Sequence, residues 1–172
     1  MSTLSAWVKY KEEIKRSDLL DFASESNLID GIDSMASDEI HANALYDFVQ
    51  LKKIKLHNVQ KFVSIVLPVS YLRTKPEHTA FISGEAAPSP EIAVAQTEFL
   101  LNKVNSDELH PWAVYADYCG IHPFICNNGL SGRAIWLWQM LQFRSYVFTY
   151  NFLQTYHNQT LQKYRASMGF ML

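Results

Sequence analysis

The sequence predicts an all-α protein of about seven helices, interrupted once by a short β-hairpin. Three observations carry this reading. Apolar residues recur at helical spacing through most of the 172 residues. Proline, glycine and small hydroxyl residues punctuate that pattern where helices begin and end. Between Pro68 and Pro90 the pattern breaks: the segment holds four of the six prolines, and only residues 78–83 have strand character.

Taken in order, Leu4, Trp7, Val8, Ile14 and Leu19 mark a first helix that ends near residues 24–31. A second is expected over residues 38–54, on Ile40, Leu45, Phe48, Val49 and Leu51. A shorter one, residues 57–67, stops where Pro68 follows, because proline disfavours helix in the residue before it. Ser89-Pro90-Glu91 is a helix start: a hydroxyl to cap, proline in the first turn, an acid near the positive end. That helix carries Ile92, Val94, Phe99, Leu100 and Val104. Another begins near Ser106 or Pro111 and runs through Trp112 and Tyr115 towards Cys119. The next, from Ala134, is rich in aromatics, and an amphipathic C-terminal helix over residues 151–172 closes the chain.

Composition narrows the function. The chain is 48% hydrophobic and 19% charged, with a net charge of −2. It therefore has material for one sizeable core, and one domain over residues 1–172 is expected. A charge near zero argues against nucleic-acid binding by broad phosphate neutralisation. Two cysteines build no disulfide framework, and the early charges of the N-terminal stretch do not read as a secretory signal, so a cytoplasmic location is expected. Residues 134–153 are long enough to cross a bilayer, but Gln139, Gln142, Arg144, Ser145 and Asn151 would lie in hydrocarbon. A buried core helix is expected instead, with no membrane partner. The aromatics Trp136, Trp138, Tyr146, Phe148, Tyr150 and Phe152 are expected in the core or an interface, and the C-terminal segment suits docking on the domain or on a second copy.

The stretch that carries chemistry is residues 120–133, GIHPFICNNGLSGR. A loop with Asn127, Asn128 and Gly129 leads into a helix whose first turns hold Ser131, Gly132 and Arg133. Free N–H groups at a helix N-terminus make an anion site, and small residues let a phosphate approach the backbone. Arg133, one turn beyond Gly129, is positioned to add a bidentate contact, and His122 to act as a general base. The residues alone also fit a plain helix junction with an Asn-Gly turn and a core histidine. Cys119, His122 and Cys126 lie close in sequence, but structural zinc wants four closed ligands, and no metal site is expected.

The same stretch resembles the signature of the Fic/Doc family, His-Pro-Phe-x-(Asp/Glu)-Gly-Asn-Gly-Arg-x-x-Arg. His122, Pro123, Phe124, Asn128, Gly129 and Arg133 match it, and the order of helices and flap is similar across most of the chain. The resemblance implies a Fic-type helical domain that transfers AMP, or a related phosphate group, from ATP to a hydroxyl side chain of a target protein. His122 would take the proton. Asn127, Asn128, Gly129, Ser131, Gly132 and Arg133 would hold the phosphates. The flap, Thr79, Ala80, Phe81, Ile82, Ser83 and Gly84, would align the target segment by main-chain pairing. The partition implied is an N-terminal part over residues 1–36, a core with flap and motif over 37–150, and the C-terminal helix.

The departures bear on activity. Cys126 stands where the family has a metal-binding acid, and a thiol is a poor ligand for magnesium. Asn127 replaces a glycine, and Leu130 replaces the first arginine. Loss of one preorganised donor costs on the order of 10²–10³ in rate. Restoring Cys126→Asp and Leu130→Arg together is expected to raise transfer more than either alone. Ser26, Asp30 and Gly31 resemble the family's inhibitory motif, whose acid meets the second arginine, here Arg133. Two expectations follow: an AMP-transferase whose activity is weak, altered or absent, or a non-catalytic module that binds a nucleotide or a protein.

Overall fold

The computed structural model describes residues 14–143. Six helices and one two-stranded hairpin are formed among them. The N-terminal part of the first expected helix, the C-terminal helix over residues 151–172, and Arg144, Tyr146, Phe148, Tyr150 and Phe152 lie outside the described residues.

Helix α1 spans Arg16–Ile29, and its first turn is closed by the Lys15 N–H donating to Asp18 Oδ2 at 3.1 Å. It ends at Gly31, which takes φ +76°, a left-handed conformation that glycine adopts without a Cβ penalty. Helix α2 spans Met35–Val49 and starts earlier than the apolar spacing suggests, because the Ser34 hydroxyl caps it by accepting from the Ser37 N–H at 3.4 Å. It also stops earlier. The backbone at 51–54 bonds to side chains of other helices: the Leu51 carbonyl accepts from Trp138 and Gln142, and Ile54 exchanges both main-chain bonds with the Asn105 amide. Helix α3, Leu56–Val66, ends as expected ahead of Pro68, with Leu67 extended at φ −141°, ψ 80°.

The hairpin pairs β1, Phe81–Ile82, with β2, Glu85–Ala86, in the register Phe81 to Ala86 and Ile82 to Glu85. Its two-residue turn places Ser83 at φ 52° and Gly84 at φ 88°, a pair of positive φ values that matches the right-handed twist of the strands. Helix α4, Pro90–Asn105, carries its proline in the first turn after Ser89. Helix α5 spans Pro111–Ile121, and α6 spans Asn128–Phe143.

Helix α6 is the axis of the fold. It touches α1, α2, α3 and α5, and every residue from Leu130 to Gln142 is buried. A helix buried all round must find partners for its polar groups. Trp138 Nε1 and Gln142 donate to the Leu51 carbonyl, and Gln139 donates to the Leu109 carbonyl and Asp107. The apolar row Leu130, Ala134, Leu137 and Leu141 repeats at 3–4 residues and is sealed from solvent. Each such leucine contributes roughly 1.5–3 kcal/mol of burial. No helix among the described residues is long and apolar enough to cross a membrane. This central packing fixes the N-terminal end of α6, where the motif lies.

Candidate functional site

A left-handed cap and a short extended pairing set the motif in place. Helix α5 ends at His122, which takes φ 55°, ψ 58° and donates its N–H back to the Tyr118 carbonyl at 3.1 Å. A non-glycine residue in this left-handed region costs about 1–2 kcal/mol, so its surroundings must hold it there. The chain then runs extended beside residues 71–73: Leu72 and Phe124 form an antiparallel bridge, with Arg73 N–H donating to the Pro123 carbonyl and Ile125 N–H to that of Tyr71. The Ser70 hydroxyl adds a bond to the Cys126 carbonyl at 2.8 Å.

His122 is half-buried. With Nδ1–H donating to the Cys119 carbonyl at 3.3 Å, Nε2 becomes the proton-accepting nitrogen. Burial holds its pKa below the usual histidine value; the Cys119 carbonyl opposes this and the positive charge of Arg73 adds to it. The ring is therefore neutral at pH 7, the state a base requires.

The loop between the two helices is built by Asn128. Its buried amide accepts from the Phe124 N–H at 2.8 Å and donates to the Phe124 carbonyl at 2.9 Å, closing the loop upon itself. Asn127 sits at φ 57°, a conformation that asparagine tolerates where the motif's glycine would stand. The helical bonding of α6 begins with Ser131 N–H donating to the Asn127 carbonyl at 3.4 Å. The N–H groups of Asn128, Gly129 and Leu130 therefore have no acceptor within the helix. Of the six residues expected at the phosphates, Arg133 is buried against α1, and three more have side chains or faces turned inward. Asn128 holds its loop, the Ser131 hydroxyl bonds Tyr118 at 2.9 Å, and Gly132 lies against the rings of Tyr115 and Tyr118. A Cβ at Gly132 would stand 3.1 Å from both rings, so the glycine allows α5 and α6 to approach.

Arg133 lies beneath this loop with its side chain 3% exposed. Nε donates to Ser26 Oγ at 2.7 Å, and one terminal nitrogen donates to the Ser26 carbonyl at 2.9 Å and pairs with Asp30. The other reaches the Tyr115 hydroxyl at 3.5 Å. Gly129 completes the cluster: a Cβ there would stand 3.1 Å from Arg133 and 3.5 Å from Asp30. Thus Ser26, Asp30, Gly129 and Arg133 are brought together, whereas Gly31 stays in open space as the terminus of α1. Leu130 is 1% exposed within the core. An arginine at that position would have to unpack α6 rather than extend to a ligand.

Three features escaped the sequence reading. Tyr115 stacks on Trp112 with ring centroids 5.2 Å apart, and burial raises its hydroxyl pKa beyond the usual range. Its spacing to Tyr118 and His122 was a readable helical stripe. His41 is fully buried and bonds Asn27 at 2.8 Å, and Asn27 in turn donates to Asp38 at 2.7 Å, tying α1 to α2 just above the Arg133 contact. Arg73 is 1% exposed and donates to three main-chain carbonyls: His78 at 2.8 Å, His122 at 2.7 Å and Pro88 at 2.6 Å. Carbonyl partners carry no sequence signal, so nothing near Arg73 announced it.

No protein-family model and no curated protein matches the chain. Among solved structures it is similar to the crystal structure of a Fic domain containing signaling protein from Bacteroides thetaiotaomicron VPI-5482. The TM-score is 0.57 at 17% identity, covering 91% of this chain and 80% of that one. Together with the helix order, the hairpin and the helix-borne motif, this likeness shows that the chain has a Fic-type fold.

Proposed function

We propose that the chain is a Fic-fold nucleotidyl-transfer protein of low activity, moving AMP from ATP to a serine, threonine or tyrosine hydroxyl of a target protein. The observation that carries this is the cluster at the start of α6. A neutral histidine stands at one end of the loop, and a buried arginine at the other is matched by the Ser26–Asp30 segment of α1. In the proposed reaction the hydroxyl oxygen bonds to the α-phosphorus and its proton passes to His122 Nε2. The bond from that phosphorus to pyrophosphate breaks. The N–H groups of Asn128, Gly129 and Leu130 face the phosphates, and Arg133 contacts the outermost one after leaving Asp30. The hairpin aligns the target segment by main-chain pairing.

Magnesium does not fit the donor set. Cys126 offers sulfur to a hard cation, and no group of three or more His, Cys, Asp or Glu side chains able to hold a metal occurs among the described residues. No step is therefore routed through a metal.

A second reading is favoured by one observation, the burial of Leu130 in the core in place of a phosphate-facing arginine. On it the fold binds a nucleotide or a protein without catalysis. Incubation with α-labelled ATP and a cell lysate separates the two. The transferase reading expects labelled protein from the parent or from Asp30→Ala, and none from His122→Ala. Equal labelling by all three overturns it. Titration calorimetry with ATP then tests binding, expected to weaken on Arg133→Ala.

A further inference from the structure

We propose that Arg73 is a positioning residue that locks the hairpin and the backbone of His122 into one unit. The inference rests on the transferase reading for its purpose, but not for its test. The Arg73 guanidinium meets three segments at once. His78 is at the entry to the hairpin, Pro88 is at its exit just before the cap of α4, and His122 ends α5. The Arg73 main-chain N–H also bonds the Pro123 carbonyl, so both side chain and backbone of one residue bind the motif.

Three features argue for a specific device rather than general packing. First, Arg73 has no carboxylate partner in either ion pair of the described residues, Lys103–Glu108 and Arg133–Asp30. A buried charge satisfied by carbonyl dipoles alone demands fixed geometry, which a planar fork supplies and an ammonium does not. Second, the carbonyl it holds belongs to a residue in the left-handed region, where the strained backbone persists only if its neighbours fix it. Third, the loop between Arg73 and His78 folds tightly around the guanidinium: His78 Nδ1 accepts from the Thr74 N–H at 3.1 Å, and the His78 ring packs on Tyr71 at 5.1 Å. One side chain thus ties both ends of the hairpin to the body of the fold. A strand laid on the hairpin is held in register with the imidazole, and a shift of either is felt by the other.

Native-state hydrogen exchange and histidine NMR on the full chain test this. In Arg73→Ala, the amides of His122 and Ala87 (the latter bonded to the Ala80 carbonyl) are expected to lose protection together, by about 10–100-fold. The Asp38 amide, bonded to the Ser34 carbonyl in the first turn of α2, opens by local fraying away from Arg73 and keeps its protection. The His122 titration moves up towards the ordinary value, and added ethylguanidinium restores both protection and titration. Loosening of Ala87 with His122 unchanged overturns the proposal, as does an equal loss at Asp38. Where Arg73→Ala does not fold, Arg73→Lys keeps the charge but loses the fork, and it must show the same paired loss on a smaller scale. Unchanged protection at both amides in that variant overturns the proposal. None of these readouts requires transfer activity, so an inactive parent leaves the test intact.

Discussion

Replacing Asp30 by alanine separates the energetic role of the Arg133 contact from its functional one. Arg133 and Asp30 have side chains 3% and 20% exposed. Removing one member of a fully buried pair costs about 3–5 kcal/mol, because the other charge is left without compensation. Two features reduce that here. The guanidinium keeps Ser26 Oγ, the Ser26 carbonyl and the Tyr115 hydroxyl. Asp30 also sits at the negative end of α1, where a carboxylate is unfavourable by about 0.3–1 kcal/mol. The expected net loss is about 2–3 kcal/mol, which for a chain of this length lowers Tm by roughly 4–12 °C. Urea unfolding and differential scanning calorimetry measure it. The functional half is read in the same instrument. If a phosphate takes the place of the carboxylate, ATP at 100-fold the variant's Kd stabilises Asp30→Ala by about 2.7 kcal/mol, and the parent, which binds more weakly, by less. A stability loss under ~0.5 kcal/mol refutes the assignment of a buried, compensating pair, since that is the scale of a neutral surface change. An equal ATP shift in parent and variant refutes competition for Arg133.

Three other outcomes are expected. Leu130→Arg places a charge in the core beside α6 and is expected to cost at least about 3 kcal/mol in urea unfolding. Pairing it with Cys126→Asp should therefore give a less stable protein, and not the gain in transfer that the motif alone suggests. Gly132→Ala forces the Tyr115 and Tyr118 rings to move and should cost about 1–3 kcal/mol, read by thermal unfolding. Burial, with Arg133 as the lesser cause, lowers the His41 pKa from 6.5 to about 3. The folded state then binds fewer protons than the unfolded chain below pH 6.5. The stabilising contribution is full above that pH and is lost as the pH falls towards 3, by up to about 1.4 kcal/mol per pH unit. Urea unfolding across that window should show the slope in the parent, and His41→Gln should flatten it.

The parts of this fold that were legible are those fixed by neighbours in sequence. Ser89-Pro90 starts α4, Pro68 stops α3 and Gly31 ends α1, each through bonds spanning four residues or fewer. The limits of α2 were less legible. Ser34 was an available cap overlooked in favour of apolar spacing, while the early stop depends on Trp138, Gln142 and Asn105, which no local pattern connects to residues 51–54. In the site the same division holds. His122, Asp30 and Arg133 could be named because a motif spaces them. Leu130 was seen as a missing donor, although its place in the row with Ala134, Leu137 and Leu141 already marked it as core. Arg73 was out of reach, since its partners are carbonyls 5, 15 and 49 residues away.

These contacts also determine what opening the site would require. Among the described residues Asp30 is the one carboxylate partner of Arg133, yet two of the bonds go to Ser26, one of them to its main-chain carbonyl. A carbonyl in the last turn of α1 does not leave by a change of rotamer. Freeing the arginine therefore means either breaking those bonds individually or displacing α1 as a body. Displacement is opposed by Asn27, whose amide joins both Asp38 and His41 on α2. The Arg133 contact and the Asn27 network lie one residue apart on the same helix, so each stiffens the other. A nucleotide that engages Arg133 while α1 stays seated must share the guanidinium with Ser26. A nucleotide that claims all of it must also bear the cost of undocking α1. The low activity proposed for this chain would thus have a source beyond the substitutions at Cys126 and Leu130: the arginine that remains is held by Ser26 and Asp30 of a helix end that is itself tied down.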